Sequence, residues 1–137
     1  MASFDKFWGD KLRKYDDSVL LSYTLEQYES DFLTHGGPSA YPPERSRAFL
    51  PSIISYSWTD ASVDRLMADA MRLSGASLVE VEIQDGQDLK NASIYGNYAL
   101  FGTPLEAIYG DHLERLREIK KNYDPDNVMG LAGGWKF

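Results

Sequence analysis

The chain has 137 residues, no cysteine and a formal net charge of −7 at neutral pH. Without cysteine, a disulfide framework, a thiolate metal site and a cysteine nucleophile are excluded within these residues. The acidic balance argues against a nucleic-acid-binding surface and against adhesion to anionic membranes. The opening residues lack the apolar core of a signal peptide, and no apolar run reaches the about 18 residues that span a bilayer. We therefore expect a cytoplasmic (intracellular) protein.

The first part of the chain is predicted to contain a helix, a strand, a short helix and a loop. Aromatic and apolar residues recur at helical spacing over residues 2–15, which predicts an amphipathic helix. Residues 18–24 alternate as in a strand, and residues 25–32 have the spacing of a short helix. The long loop over residues 34–47 contains Arg47, a cation in an acidic chain. Arg47 is interpreted either as a surface ion-pair partner or as an anchor for an anionic or carbonyl group of a ligand.

The clearest strand prediction covers residues 49–58. Its alternation places Tyr56 and Trp58 on one face. A helix capped by Thr59 or Asp60 is expected to follow, and Gly75 is expected to end it.

Residues 78–83 (LVEVEI) alternate again and predict another strand. Glu80 and Glu82 would then lie side by side on one face, where two carboxylates can act as acid and base or simply face solvent. The elements together predict an α+β fold with a small antiparallel or mixed sheet of three to four strands. Helices would cover one face, as in half of a ferredoxin-like sandwich.

The last part of the chain is predicted to contain two helices followed by a buried end. The sequence Thr103-Pro104-Leu105-Glu106 is typical of a helix start with a capping box. This short helix should end at Gly110, and the next should begin at the cap Asp111 and stop before Pro125, with Asn122 in a left-handed conformation. The pair Asp124-Pro125 is expected to have a structural role in setting a turn. We expect the residues after it to bury their apolar side chains, namely Val128, Met129, Leu131, Trp135 and Phe137. No linker or repeat divides the chain, so residues 1–137 are predicted to form a single domain.

The segment Tyr95-Gly96-Asn97-Tyr98 is the strongest candidate site. Glycine lets another group approach the backbone closely, the Asn97 amide both donates and accepts, and two phenols flank it. A phenol can serve as a base if a nearby positive charge lowers its pKa, or as a hydrogen-bond donor. The alternative is an aromatic strand end packed on the sheet. No spacing of His and carboxylates predicts a metal site, and the sequence contains no G-x-S-x-G or G-x-G-x-x-G pattern.

Two stretches resemble a known family. The string LREIKKNYDPDNVM with the ending GGWKF resembles the C-terminal signature of berberine-bridge-enzyme-like FAD-linked oxidoreductases, which are vanillyl-alcohol-oxidase type flavoproteins. The upstream IYGNYALFGTPLEAIYG is similar to the Tyr-x-Asn-Tyr-Ala segment of that family, and the ending looks most like fungal members. The resemblance is clear over residues 49–137, whereas residues 1–48 would supply a helix, strand and long loop of the substrate domain.

The resemblance implies a site and a cofactor. Asn97 and Tyr95 would face FAD, and Tyr98 and Tyr95 would be catalytic. In a family-like arrangement, Tyr56 and Trp58 would face the substrate. Glu80, Glu82 and Arg47 are added as substrate contacts from their own charge and position in the sequence. Covalent flavin attachment through cysteine is excluded within this chain.

The resemblance leaves three functions open. The family's FAD-binding domain is not recognisable in these residues, so a flavin domain from elsewhere would be needed for oxidation of a small organic secondary metabolite. Alternatively, the chain is a stand-alone, cofactor-independent cyclase, isomerase or dehydratase that kept the substrate pocket. The third possibility is a non-catalytic binding module. We expect a partner flavin-binding chain for the oxidase, or a homodimer for a stand-alone protein, since the surface that meets the flavin domain would otherwise be exposed.

Overall fold

The computed structural model describes residues 2–29, 31–42, 50–89 and 92–137. These residues form a mixed α+β fold with one two-stranded antiparallel sheet. The helices are α1 (Ala2–Leu12), α2 (Asp64–Gln84), α3 (Leu105–Tyr109) and α4 (Leu113–Tyr123), and the strands are β1 (Leu20–Leu25) and β2 (Ser52–Ser57).

The backbone divides into two compact units. Unit 1 comprises Met1–Ser30 and Phe49–Lys90, and unit 2 comprises Asp31–Ala48 and Asn91–Phe137. Compact units can still unfold together, so the single-domain prediction stays a prediction.

Unit 1 is built on the antiparallel pair β1–β2, in which Leu21 lies opposite Tyr56 and Tyr23 opposite Ile54. Side chains along β1 alternate between half-buried and exposed, as the sequence predicts. Helix α1 packs against β1, and α2 packs against β2. The core consists of the buried residues Leu12, Val19, Tyr56, Met67 and Ala70.

Helix α2 is longer than predicted and removes a strand from the predicted sheet. It runs through Gly75 to Gln84, so residues 78–83 are helical. Its buried residues continue at helical spacing, from Met67, Ala70 and Ser74 to Leu78. The prediction of a sheet with three to four strands is therefore wrong for the described residues, which contain two.

The turn after α1 is tied to the residues that precede α2 by one carboxylate. Asp16 accepts hydrogen bonds from the Ser18 hydroxyl (2.6 Å) and amide (2.9 Å), and from the backbone amides of Thr59 (2.8 Å) and Asp60 (2.9 Å). These bonds, led by the Ser18 hydroxyl, lower the pKa of Asp16 far below its ordinary value. The predicted cap Asp60 accepts from the amide of Ser62 (2.8 Å) and begins a short 3-10 turn before α2.

Two other predictions for this part of the chain need correction. Residues 26–29 are irregular and a 3-10 turn covers Phe32–Thr34, so the predicted helix over residues 25–32 is wrong for the described residues. The predicted strand over residues 49–58 is observed over Ser52–Ser57, with Phe49 outside the described residues.

In unit 2, α3 and α4 bury Ile108 and Leu113. Helix α3 ends at Gly110, whose φ of 51° suits glycine. The residue that caps α3 is Pro104, and no side chain makes a capping bond, so the predicted capping box is wrong. The Thr103 hydroxyl instead donates to the Leu100 carbonyl at 2.7 Å. Asp111 lies inside a 3-10 turn (Gly110–His112) and makes no capping bond to α4.

The residues after α4 depart from the predicted buried end. Asn127, with a φ of 55°, takes the left-handed conformation expected of Asn122. Val128–Ala132 form a 3-10 turn that contains no buried residue, so the predicted burial of Val128, Met129 and Leu131 is wrong. Phe137 is also exposed, against the prediction, and Trp135 is half-buried. Asp124 accepts from the amides of Val128 (2.7 Å) and Met129 (3.1 Å) and from Lys120, which agrees with the structural role expected of the Asp-Pro turn.

Candidate functional site

The segment that carries Tyr95, Asn97 and Tyr98 is held in unit 2 by backbone bonds. The Ile94 amide donates to the Ala107 carbonyl of α3 at 2.9 Å. A turn then covers Gly96–Tyr98, in which the Tyr98 amide donates to the Tyr95 carbonyl at 2.9 Å. The segment is therefore a fixed turn beside a helix and not the end of a strand.

At Gly96, another side chain approaches the backbone closely. The indole N–H of Trp135 donates to the Gly96 carbonyl at 3.2 Å. A Cβ atom at position 96 would lie 3.2 Å from the Trp135 nitrogen and 3.3 Å from a methyl group of Ile108. The close approach predicted from the glycine is thus made by Trp135 and Ile108.

The predicted site side chains touch one another at this turn. The Asn97 amide donates to the Tyr95 hydroxyl oxygen at 2.7 Å. The Tyr95 and Tyr98 rings meet edge to face at 5.0 Å between centroids, and Tyr41 meets Tyr95 at 5.4 Å. The structure thus brings Tyr95, Asn97 and Tyr98 together, and it adds Tyr41, which the sequence did not indicate.

This cluster, which we call the tyrosine cluster (Tyr41, Tyr95, Asn97 and Tyr98), is reachable from solvent. Tyr95 is 39% exposed and Tyr98 is 43% exposed. The Tyr95 hydroxyl accepts from Asn97 and so can still donate its own proton to a ligand, while the Asn97 carbonyl oxygen can accept. Burial, followed by the neighbouring Tyr95, raises the pKa of Tyr41, which keeps that phenol protonated at neutral pH. The cluster therefore offers hydrogen-bond donors and acceptors next to aromatic surface.

The other predicted site residues belong to unit 1 or fall outside the described residues. Tyr56 is buried in the core, where its hydroxyl meets that of Tyr23 at 2.7 Å, and burial raises its pKa. Trp58 is half-buried, and its indole N–H donates to the Asp64 carboxylate at 2.7 Å. Arg47 lies outside the described residues. The substrate contacts expected of these residues stay predictions.

Glu80 and Glu82 do not have the predicted geometry. Both lie in α2, where residues two apart point to different sides of the helix. The expected pair of carboxylates on one strand face is therefore wrong, although a substrate contact by either residue stays a prediction.

Sequence reasoning also missed a hollow in unit 2 of about 970 Å³. It lies between the end of α4 and the C-terminal residues, and Lys120, Lys121, Trp135 and Lys136 are among its lining residues. The available signal is the recurrence of lysine on both sides of the Asp-Pro turn, at Lys120, Lys121 and Lys136.

The described ranges contain neither a metal-binding cluster nor a membrane-spanning helix. Nowhere in residues 2–29, 31–42, 50–89 and 92–137 do three or more His, Asp or Glu side chains gather closely enough to hold a metal ion. The described helices also include none with the length and apolar character needed to cross a membrane.

Comparison with known proteins identifies a family that matches the part of the chain containing the tyrosine cluster turn. Residues 94–132, which contain Tyr95, Asn97, Tyr98 and α4, match the family "Berberine and berberine like". No solved structure matches the chain.

Several fungal proteins match over most of this chain. It is 30% identical to the FAD-linked oxidoreductase fogF of Aspergillus ruber, over 88% of this chain and 28% of that protein. It is 27% identical to the FAD-linked oxidoreductase anuG of Penicillium roqueforti (84% of this chain, 22% of that protein) and 26% identical to the FAD-linked oxidoreductase srdI of Neurospora crassa (92% and 24%). The chain thus spans about a quarter of the length of the curated relatives it matches. The resemblance to berberine-bridge-enzyme-like FAD-linked oxidoreductases of fungi is confirmed.

Proposed function

From this similarity to berberine-bridge-enzyme-like FAD-linked oxidoreductases, we propose that the chain supplies the substrate-facing part of such an enzyme. A flavin-binding region from elsewhere, in the same or another polypeptide, would complete it. The substrate would be a small organic metabolite, bound in part at the tyrosine cluster. The observation that carries the proposal is the position of the family match, because residues 94–132 include three of the four residues of the tyrosine cluster.

The described residues fit one part of FAD and not the whole. The tyrosine cluster presents half-exposed aromatic rings and an amide, which suit contact with the edge of a flat heteroaromatic ring. The sequence contains no glycine-rich phosphate-binding pattern to hold the pyrophosphate. We therefore assign this chain a contact with the flavin ring system and leave the phosphates to another region.

The roles of the cluster residues follow from their bonds. FAD, when bound, would accept the electrons removed from the substrate. Asn97 would accept a hydrogen bond from substrate or flavin through its carbonyl oxygen while its amide group holds the Tyr95 hydroxyl. Tyr95 would donate its proton in a hydrogen bond. Tyr98 would pack its ring against Tyr95 and present its hydroxyl to the same ligand.

Apolar exposure supports a partner surface. Phe101, Tyr123 and Leu131 are each at least 86% exposed, and contact with a partner would remove their apolar surface from water. We propose that they meet either a second copy of this chain or the flavin-binding region.

The experiment is to isolate the tagged chain from its native source and record the visible absorption of the eluate. We expect flavin absorption bands to elute with the chain. The variant Asn97→Ala should shift those bands or lower the turnover of the bound flavin by about tenfold, because it removes one hydrogen bond at the ring. Tyr15→Phe in unit 1 is the matched control and should leave both readings unchanged.

Two outcomes would contradict the proposal. A colourless sample that converts a metabolite, and loses that activity in Tyr98→Phe, would favour the cofactor-independent cyclase or isomerase. A colourless sample without activity would favour a binding module.

A further inference from the structure

The hollow between α4 and the C-terminal residues carries more positive charge than its surroundings. Four cationic side chains and one carboxylate are among its lining residues, namely Arg117, Lys120, Lys121, Lys136 and Asp124. The whole chain, by contrast, has a formal net charge of −7. A local excess of cations in an acidic chain raises the local concentration of anions.

Two of these cations are already neutralised. Lys120 pairs with Asp124. Arg117 pairs with Glu114 and lies 3.9 Å from a carboxylate oxygen of Glu106. Their charge is therefore balanced mainly by carboxylates of this chain.

The other two cations keep their charge available. Lys136 donates to the carbonyl oxygens of Gly130 and Gly133, which fixes its ammonium group without cancelling its charge. Lys121 forms no ion pair with any residue of the described part of the chain. Lys121 and Lys136 are thus the two lining groups that can bind an anionic oxygen.

The same hollow has an apolar wall. Its lining residues include Met129, Trp135 and Phe137. The Trp135 ring is held by its bond to the Gly96 carbonyl, and Phe137 meets Tyr109 at 5.2 Å between ring centroids. Because the indole N–H is already bonded, Trp135 contributes apolar surface to the hollow and no free donor.

We propose that this hollow binds an organic anion, with a phosphate or carboxylate group between Lys121 and Lys136 and a flat, unsaturated body against Trp135. Cationic groups beside fixed aromatic surface select for a ligand that has both parts. The proposal rests on unit 2 alone and does not depend on the oxidoreductase function.

The test is a titration of the 137-residue chain followed by NMR, with the indole N–H signal of Trp135 as the reporter. The probes are phenyl phosphate, benzoate, inorganic phosphate and the neutral benzyl alcohol. We expect phenyl phosphate or benzoate to shift the Trp135 signal at millimolar concentration and added salt to weaken the binding. Comparison of those two probes identifies the preferred anionic group.

A pair of lysine variants tests the position of the anion. Lys121→Gln should weaken binding of the preferred probe about fivefold, as expected for one partly screened charge. Lys14→Gln, with the same charge change in unit 1, should leave the affinity unchanged.

Three results would overturn the proposal. The first is no shift of the Trp135 signal with any anionic probe. The second is equal affinity in the two lysine variants. The third is binding of inorganic phosphate or benzyl alcohol as tight as that of the aromatic anions, since the proposed site requires both the charge and the flat body. None of these results bears on whether flavin elutes with the chain.

Discussion

Asp16 is the residue on which the turn after α1 and the start of the next helical segment both depend. Its two carboxylate oxygens accept hydrogen bonds from Ser18, which is two positions away, and from Thr59 and Asp60, which are more than 40 positions away. The residue is also 8% exposed, so few water molecules can replace those bonds. A single side chain therefore joins two separate stretches of unit 1.

We predict that Asp16→Asn lowers the thermal midpoint of unfolding by several degrees, because the amide NH₂ cannot accept the bonds that one carboxylate oxygen accepts. The matched control is Asp17→Asn at the exposed neighbouring position, which should change the midpoint little. Circular dichroism during heating measures both. Equal midpoints for the two variants would contradict the structural role of Asp16.

The same carboxylate predicts a dependence of stability on pH. The pKa of Asp16 in the folded chain lies far below the ordinary value of 3.8, chiefly through the Ser18 hydroxyl. Ionised Asp16 therefore stabilises the fold fully above the unfolded pKa, and this contribution is lost as the pH falls through the range below it. We expect denaturant unfolding between neutral and acid pH to show a smaller loss of stability in Asp16→Asn than in the parent chain. A loss of equal size in both would be the contrary result.

Gly96 provides a test of the turn that holds the tyrosine cluster. We predict that Gly96→Ala destabilises the fold by about 1–3 kcal/mol, since its methyl group would press on Trp135 and Ile108. The matched control is Gly37→Ala, where an added Cβ meets nothing within 4 Å. Chemical denaturation with tryptophan fluorescence measures the two. A neutral Gly96→Ala would contradict the close approach of Trp135.

Single residues were predictable from the sequence only where their bonds are local. The turn role of Asp124 was predicted because its partners Val128 and Met129 follow within five positions. The roles of Asp16 and Tyr41 were missed because their partners Thr59, Asp60 and Ser93 are distant in the sequence. The substrate contact expected of Arg47 stays a prediction because this residue lies outside the described residues.

At the scale of elements, α2 is where local pattern and structure disagree. Residues 78–83 alternate like a strand, yet Leu78 also lies four residues after the buried Ser74, which continues the buried side of the helix. The two periodicities coincide over so short a stretch, and the helix that already packs against β2 extends through it. Elements with clearer signals, such as α1, β1, β2 and α4, were predicted to within a few residues.

A glycine substitution distinguishes a continuous α2 from a helix that ends at Gly75. We predict that Gly75→Ala stabilises the fold by about 0.5–1 kcal/mol, because alanine restricts the unfolded chain and its Cβ would lie in ordinary contact with Ile54 at 3.7 Å. Gly86→Ala, after the end of α2, should instead destabilise, since its φ of 91° disfavours a side chain. Denaturant unfolding of both variants measures the difference. A destabilising Gly75→Ala would contradict the continuous α2 and support the predicted helix end at Gly75.

At the scale of the whole molecule, the sequence predicted the α+β class and the family, whereas the number of strands was wrong. The family signature was recognisable because it lies in contiguous residues, such as the match over residues 94–132. The strands could not be counted in the same way, because a strand is defined by its pairing partner, which here lies far along the chain. The pairing of β1 with β2 spans more than 25 intervening positions.

The exposed apolar side chains predict self-association of the whole chain. We expect sedimentation velocity to show a homodimer at micromolar concentration, and Leu131→Lys to shift it toward monomer, because that side chain is 89% exposed. Leu73→Lys in unit 1, at a position that is 60% exposed, is the matched control and should leave the dimer intact. A parent chain that sediments as a monomer would contradict the prediction.

The two-stranded sheet has a consequence for handling the protein. Within the described residues no third strand pairs with β1 or β2, so each strand leaves one row of backbone amides and carbonyls without a sheet neighbour. The outward side chains of β1 include Leu20, which is 68% exposed, and such an apolar edge can template strand addition by another molecule. Prolonged storage at high concentration should therefore lead to β-rich aggregates, which Leu20→Lys would delay.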